Sequence, residues 1–149
     1  MFLNTSYEII INGIEAAVVA QLLKFLGHII KTKQVDFQVL ATTGGMPSAH
    51  TAGVIALSAT VGIICGYESV EFAIALGYSL VVMYDAAGLR RSTGKIAASL
   101  NKIRDDFYAN GQFQPDRLKE LLGHTPFEVF VGALLGIYIA YVNHFLLFQ

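Results

Sequence analysis

All ten lysine and arginine residues of this 149-residue chain fall in two segments, and what surrounds them is long, apolar and nearly uncharged. Lys24, Lys31 and Lys33 form one group; Arg90, Arg91, Lys95, Lys102, Arg104, Arg117 and Lys119 form the other. Four stretches approach the roughly 20 residues that a helical membrane span requires: 9–30, 47–66, 70–89 and 126–148. The first is interrupted by Asn12, Glu15, Gln21, Lys24 and His28. It reads as a retained span and not a leader, because Glu8 and Glu15 are the only charges before Lys24 and no small-residue cleavage site follows. Cytoplasmic flanks retain Lys and Arg. Four spans put both basic segments on one side, so the termini are expected outside and the loops at 31–46 and 91–125 inside.

Composition closes off other classes. Apolar residues make up 54% and charged residues 14%, against about 25% charged in soluble domains, and the mean hydropathy is +0.56. Such a chain is not disordered, and a formal net charge of −1 argues against a nucleic-acid partner. A single cysteine, Cys65, allows neither an internal disulfide nor a cysteine zinc site; in its apolar run it reads as a small buried hydrophobe. The expected architecture is all-α: one integral membrane domain over 1–149, a helical bundle of about four transmembrane helices plus an amphipathic inner helix. That inner helix is signalled by Ile96, Leu100, Ile103 and Phe107 at helical spacing. A turn at 109–115 and a short helix capped by Asp116 should follow it.

Three polar clusters interrupt this pattern, and polar groups are expensive next to hydrocarbon. The first runs from Thr42 and Thr43 through Gly44, Gly45, Met46, Pro47, Ser48, Ala49 and His50 to Thr51, with Pro47 expected in the first helical turn. Backbone N–H groups there, with Ser48, suit an anion, and His50 would face it. The second holds Asp85, Arg90 and Arg91 at the end of the third span; a carboxylate in an apolar run calls for a partner, and Arg90, Arg91, Lys24 or a histidine are the candidates. In the third, Pro126 opens a helix with His124 just before it and Glu128 in its first turn. A carboxylate bonded to one imidazole nitrogen fixes the tautomer and leaves the other free as a nucleophile. The topology brings all three clusters to one membrane face. Two histidines, several cations and a carboxylate suit phosphoryl transfer without a metal or other cofactor.

The same residues resemble a known family. Gly44-Gly45-Met46-Pro47-Ser48-Ala49-His50, Met83-Tyr84-Asp85 through Gly88-Leu89-Arg90-Arg91, and Leu118-Lys119-Glu120 through Gly123-His124-Thr125-Pro126-Phe127-Glu128-Val129 look like the divergent branch of the type 2 phosphatidic acid phosphatase superfamily, which also holds vanadium-dependent haloperoxidases. The parent superfamily's Pro-Ser-Gly-His motif is matched at Pro47, Ser48 and His50, with Ala49 for the glycine. Its histidine four residues before an aspartate is matched by His124 and Glu128, with glutamate substituted. Its arginine six residues before that histidine is Leu118 here. Its lysine and following Arg-Pro fall on Lys24, Lys31 and Thr32, with Lys33 an equal candidate.

The resemblance implies a metal-independent membrane phosphatase acting on a lipid phosphate or pyrophosphate. His124 would be the nucleophile, Glu128 its orienting group and His50 the acid and base. Lys24, Lys31 or Lys33, Gly45, Ser48, Arg90 and Arg91 would hold phosphate, with Asp85 in support. The altered phosphate clamp keeps an alternative in play, a non-catalytic lipid-phosphate binder, carrier or scaffold; a vanadate-dependent oxidase is more remote. The bacterial plasma membrane is the expected location, with the site on its cytoplasmic side. A homodimer is also expected, since small residues recur at Ala52, Gly53, Ala56, Gly77, Gly132, Ala133 and Gly136 and the 96–107 stripe needs cover.

Overall fold

Helix α2 (Ala49–Cys65) is the hub on which α1 (Ser6–Thr32), α3 (Val70–Ala87) and α5 (Pro126–Leu147) all pack. A 3-10 turn at Phe37–Ala41 lies between α1 and α2, and α4 (Leu89–Tyr108) follows α3. The computed structural model describes residues 6–41, 44–108 and 123–147; every regular element among them is helical, as expected of an all-α membrane bundle. Helices α1, α3 and α5 are long and apolar enough to cross a bilayer. The 17 residues of α2 rise only about 26 Å, at the short end of a span. A helix wrapped by three others meets little lipid and has less need to match its thickness.

The expected start of α2 is corrected by its cap. Ser48 takes the N-cap position, its Oγ accepting from the Thr51 N–H at 3.4 Å. Pro47 therefore precedes the cap instead of opening the first turn. Buried residues in α2 run from Thr51 to Gly62, and Cys65, beyond them at the turn through Gly66, is exposed where a buried residue was expected.

Small residues allow the close approach of α1 and α5 to α2. A Cβ at Gly132 would stand 2.6 Å from the Ser48 carbonyl oxygen, and one at Gly136 would overlap the Ala52 backbone. Ala16, Ala20, Ala52, Ala56 and Ile139 form the buried cluster between the three helices. Lipid is as apolar as leucine, so such packing, and not hydrophobicity, joins helices in a bilayer. Ala52, Ala56, Gly132 and Gly136 are thus used within one chain. Gly77 and the exposed residues Ile96, Leu100 and Ile103 of α4 remain open for the expected pairing.

Helix α1 is built inside out. Glu8, Asn12, Ala16, Ala20 and Lys24, in steps of four, are buried, while Ile10, Ile14, Val18, Leu22 and Leu26 are exposed. Asn12, Glu15 and Lys24, which interrupt this span in the sequence, therefore face the bundle. At the end remote from Lys24 the first two make a polar clamp. Asn143 Nδ2 on α5 donates to Asn12 Oδ1 at 2.9 Å and to Glu15 Oε2 at 2.7 Å, and Asn12 Nδ2 donates to Thr60 Oγ1 on α2 at 3.0 Å. His144 Nδ1 lies 2.8 Å from Glu8 Oε1.

Helix α4 almost continues α3. The Gly88 N–H donates to the Tyr84 carbonyl at 2.8 Å and the Ser92 N–H to the Gly88 carbonyl at 3.0 Å. Arg90 and Arg91 consequently open α4 instead of closing the third span, although their side chains, like that of Phe107, lie outside the described residues. The expected turn at 109–115, the Asp116 helix, and Arg117, Leu118 and Lys119 also lie outside them.

Candidate functional site

The end of the bundle opposite the clamp gathers the first turns of α2 and α5, the last turn of α3 and the last third of α1. The turn at Gly123 (φ +90) leads into α5, and its backbone conformation favours glycine. The His124 N–H then donates to the Ala86 carbonyl at 2.9 Å, docking the strand of backbone before α5 onto the end of α3. Thr125 caps α5 and Pro126 occupies the first helical position, where its missing N–H costs nothing. The cap is reciprocal. Glu128 N–H donates to Thr125 Oγ1 at 3.3 Å, and Thr125 N–H donates to Glu128 Oε2 at 3.0 Å, the arrangement known as a capping box.

That cap sets the chemistry. The same Glu128 Oε2 lies 3.2 Å from His124 Nδ1, so the carboxylate, an acceptor only, selects the tautomer with its proton on Nδ1. The lone pair is left on Nε2. The His124 side chain is 2% exposed, and Nε2 is buried with no hydrogen-bond partner among the described residues. Burial pushes the imidazole below its ordinary pKa; Glu128 opposes that shift, and the nearby charges of Lys24 and His50 reinforce it. The ring is therefore neutral at neutral pH, which a nucleophile or proton acceptor requires.

Lys24 reaches this site from α1. It is buried, its Nζ donates to Gln21 Oε1 at 3.0 Å, and Glu128 acts on its charge. Gln21 Nε2 in turn donates to the Val39 carbonyl, tying α1 to the 3-10 turn. Gly45, at φ +94, packs over the lysine stem: a Cβ there would meet Lys24 Cδ at 3.4 Å. Ser48 is fully buried and engaged in packing, since its N–H donates to the Glu128 carbonyl at 3.2 Å and its Oγ accepts from Thr51 Oγ1 at 3.0 Å. His50 stands exposed in the first turn of α2.

The structure thus brings Lys24, Gly45, Ser48, His50, His124 and Glu128 together. Lys31 and Lys33 are exposed at and after the end of α1. Lys31 lies seven positions beyond Lys24, about 10 Å along the helix, and Lys33 lies at φ 56, where the helix has ended. Asp85, half-buried, neighbours the Ala86 carbonyl that holds His124. Sequence reasoning missed Gln21 and Thr125. The Thr-x-x-Glu spacing signals the second; for the first, the i, i+3 spacing to Lys24 is the local signal, while its bond to the Val39 carbonyl comes from a distant turn.

A family model described as the divergent PAP2 family matches residues 5–139. The chain belongs to the divergent PAP2 family. It is also similar to the uncharacterized membrane protein YuiD of Bacillus subtilis (strain 168), with 36% identity over 95% of this chain and 96% of that protein. No solved structure matches. Family membership, the membrane-protein relative and the long apolar helices agree that this is an integral membrane protein.

Proposed function

We propose that the chain is a metal-independent membrane phosphatase that hydrolyses a lipid phosphate or pyrophosphate through a phosphohistidine on His124. The observation that carries this reading is the His124 imidazole: Nδ1 fixed by a capped carboxylate, Nε2 buried with its lone pair uncommitted among the described residues. In this mechanism Nε2 attacks phosphorus, the bond to the leaving oxygen breaks, and His50 supplies that oxygen with a proton. His50 then takes a proton from water, whose oxygen attacks the phosphohistidine and releases inorganic phosphate and free His124. Glu128 compensates the positive charge that the ring acquires. Lys24 neutralises phosphoryl oxygens, with Arg90 and Arg91 in the same role from α4. Gly45 and Ser48 shape the loop, and Asp85 supports the docking of His124. The site belongs, in this reading, to the cytoplasmic face of a bacterial plasma membrane, a placement supported by the retention of Lys and Arg in cytoplasmic flanks.

A second reading, a lipid-phosphate binder or carrier without turnover, draws on the near-complete burial of His124. His124→Ala separates the two. A phosphatase loses turnover by about 1000-fold or more and no longer forms an acid-labile, alkali-stable phosphoenzyme. A binder keeps its affinity for phosphatidic acid in nanodiscs. Folded wild-type protein inert toward a broad panel of lipid phosphates and pyrophosphates would refute the phosphatase.

A further inference from the structure

Between α1 and α2 an open apolar groove of about 280 Å³ starts at His50, and its lining includes Gly13, Ile14, Ala17, Gly53 and Leu57. Its floor is the helix crossing itself. Gly13 and Gly53 lie face to face, and a Cβ at Gly53 would come 3.1 Å from the Gly13 carbonyl oxygen. The missing side chains let the backbones touch and leave a trough beside the contact. From His50 to Leu57 the groove runs about 10 Å along α2, toward the middle of a hydrocarbon layer about 30 Å thick. His50 belongs both to this groove and to the group of charges acting on His124.

We propose that this groove seats one hydrocarbon chain of the phosphate-bearing substrate, so that the α1–α2 face selects for a membrane-anchored ester. The inference rests on the reading of His124 and His50 as a phosphoryl-transfer pair. If His50 protonates the leaving oxygen, the leaving group stands beside His50, and the chain it carries continues into the trough that begins there. A chain moving from lipid into an apolar groove gains no hydrophobic energy. Its seat contributes register instead, fixing the depth at which the phosphoryl group meets Nε2, where a misplacement of about 1 Å costs a factor of roughly 100.

Ile14→Trp and Leu57→Trp, which fill the groove from its two walls, are tested on dioleoyl phosphatidic acid in mixed micelles and on water-soluble phenyl phosphate. The expected result is a fall of about 10- to 100-fold in kcat/KM for phosphatidic acid with phenyl phosphate turnover unchanged. Equal losses on both substrates, or no loss on either, would overturn the proposal. Phosphatidic acid carrying a mid-chain diazirine, photolysed with wild-type and His124→Ala protein in nanodiscs, gives a readout independent of turnover and of how the tryptophan variants fold. Cross-links should concentrate at 13–17 and 53–57 in both proteins, in excess of those from a phosphatidylcholine bearing the same diazirine. An identical pattern from the two lipids sinks the groove. Preferential cross-linking without turnover of either substrate keeps the groove and removes the catalytic reading; turnover of phosphatidic acid indifferent to both tryptophans does the reverse.

Discussion

Glu128→Gln isolates the charge of the carboxylate from everything else it does. Glutamine at the third helical position still completes a capping box, so α5 keeps its start and the amide oxygen can still accept from His124 Nδ1–H. What disappears is the negative charge 3.2 Å from the ring. On the proposed phosphatase reading, the ring is neutral in the resting protein and the loss is small; in the transition state it becomes a cation, and the loss is felt there. Coulomb's law at an effective dielectric of about 20 gives roughly 5 kcal/mol for a unit charge pair at this distance. That is an upper bound, because Glu128 retains 21% exposure and the neutral hydrogen bond survives. The better guide is the difference between a hydrogen bond to a charged group, about 1.5–3 kcal/mol, and a neutral one, about 0.5–1.5 kcal/mol; that difference, about 1–1.5 kcal/mol, corresponds to a fall of about five- to tenfold in kcat.

The pH profile supplies a second readout. Glu128 raises the His124 pKa, so its neutralisation should move the acid limb of kcat/KM to lower pH even as the maximum falls. Turnover of a phosphatidic acid micelle is measured from pH 4 to pH 9 alongside the thermal midpoint in detergent. Wild-type turnover in E128Q would refute the charge argument, as would an acid limb displaced upward.

Three further outcomes follow from the packing. Gly136→Ala forces a methyl group into the Ala52 backbone and should cost about 1–3 kcal/mol, read by steric trapping or detergent denaturation, whereas Gly77→Ala, in open space, should cost nothing. Asn143→Leu removes the bonds to Asn12 and Glu15; at about 0.6 kcal/mol for each interhelical bond in a membrane, the loss should be about 1–2 kcal/mol by the same assay. Because burial holds the His124 pKa below its unfolded value of 6.5, the unfolded chain binds more protons below that pH, and this contribution to stability is present above pH 6.5 and lost as pH falls toward the folded pKa. The thermal midpoint should fall less on acidification from pH 7 to pH 5 in His124→Gln than in wild type.

Some of this architecture is written locally. Apolar length places the helices, because a span is long and uncharged whatever it packs against; the segments read at 70–89 and 126–148 differ from α3 and α5 by two residues or fewer at either end. The histidine–glutamate pair was equally legible, since His124, Thr125, Pro126 and Glu128 define a helix start and its cap within five residues. The rest was decided by tertiary structure, for one physical reason. In a bilayer the surroundings of a helix are as apolar as its packed neighbours, so hydropathy does not say which face turns inward. Hence α1 reads as an imperfect span, yet Glu8, Asn12 and Lys24 are its buried side and Ile10, Ile14 and Val18 its outer one. Hence also Ala52, Ala56, Gly132 and Gly136, among the small residues that suggested a second subunit, pack within the chain, and Lys24, not Lys31 or Lys33, joins His124. Partners such as Asn12 with Asn143, or Ser48 N–H with the Glu128 carbonyl, lie 80 to 131 residues apart, and only the fold brings them within reach.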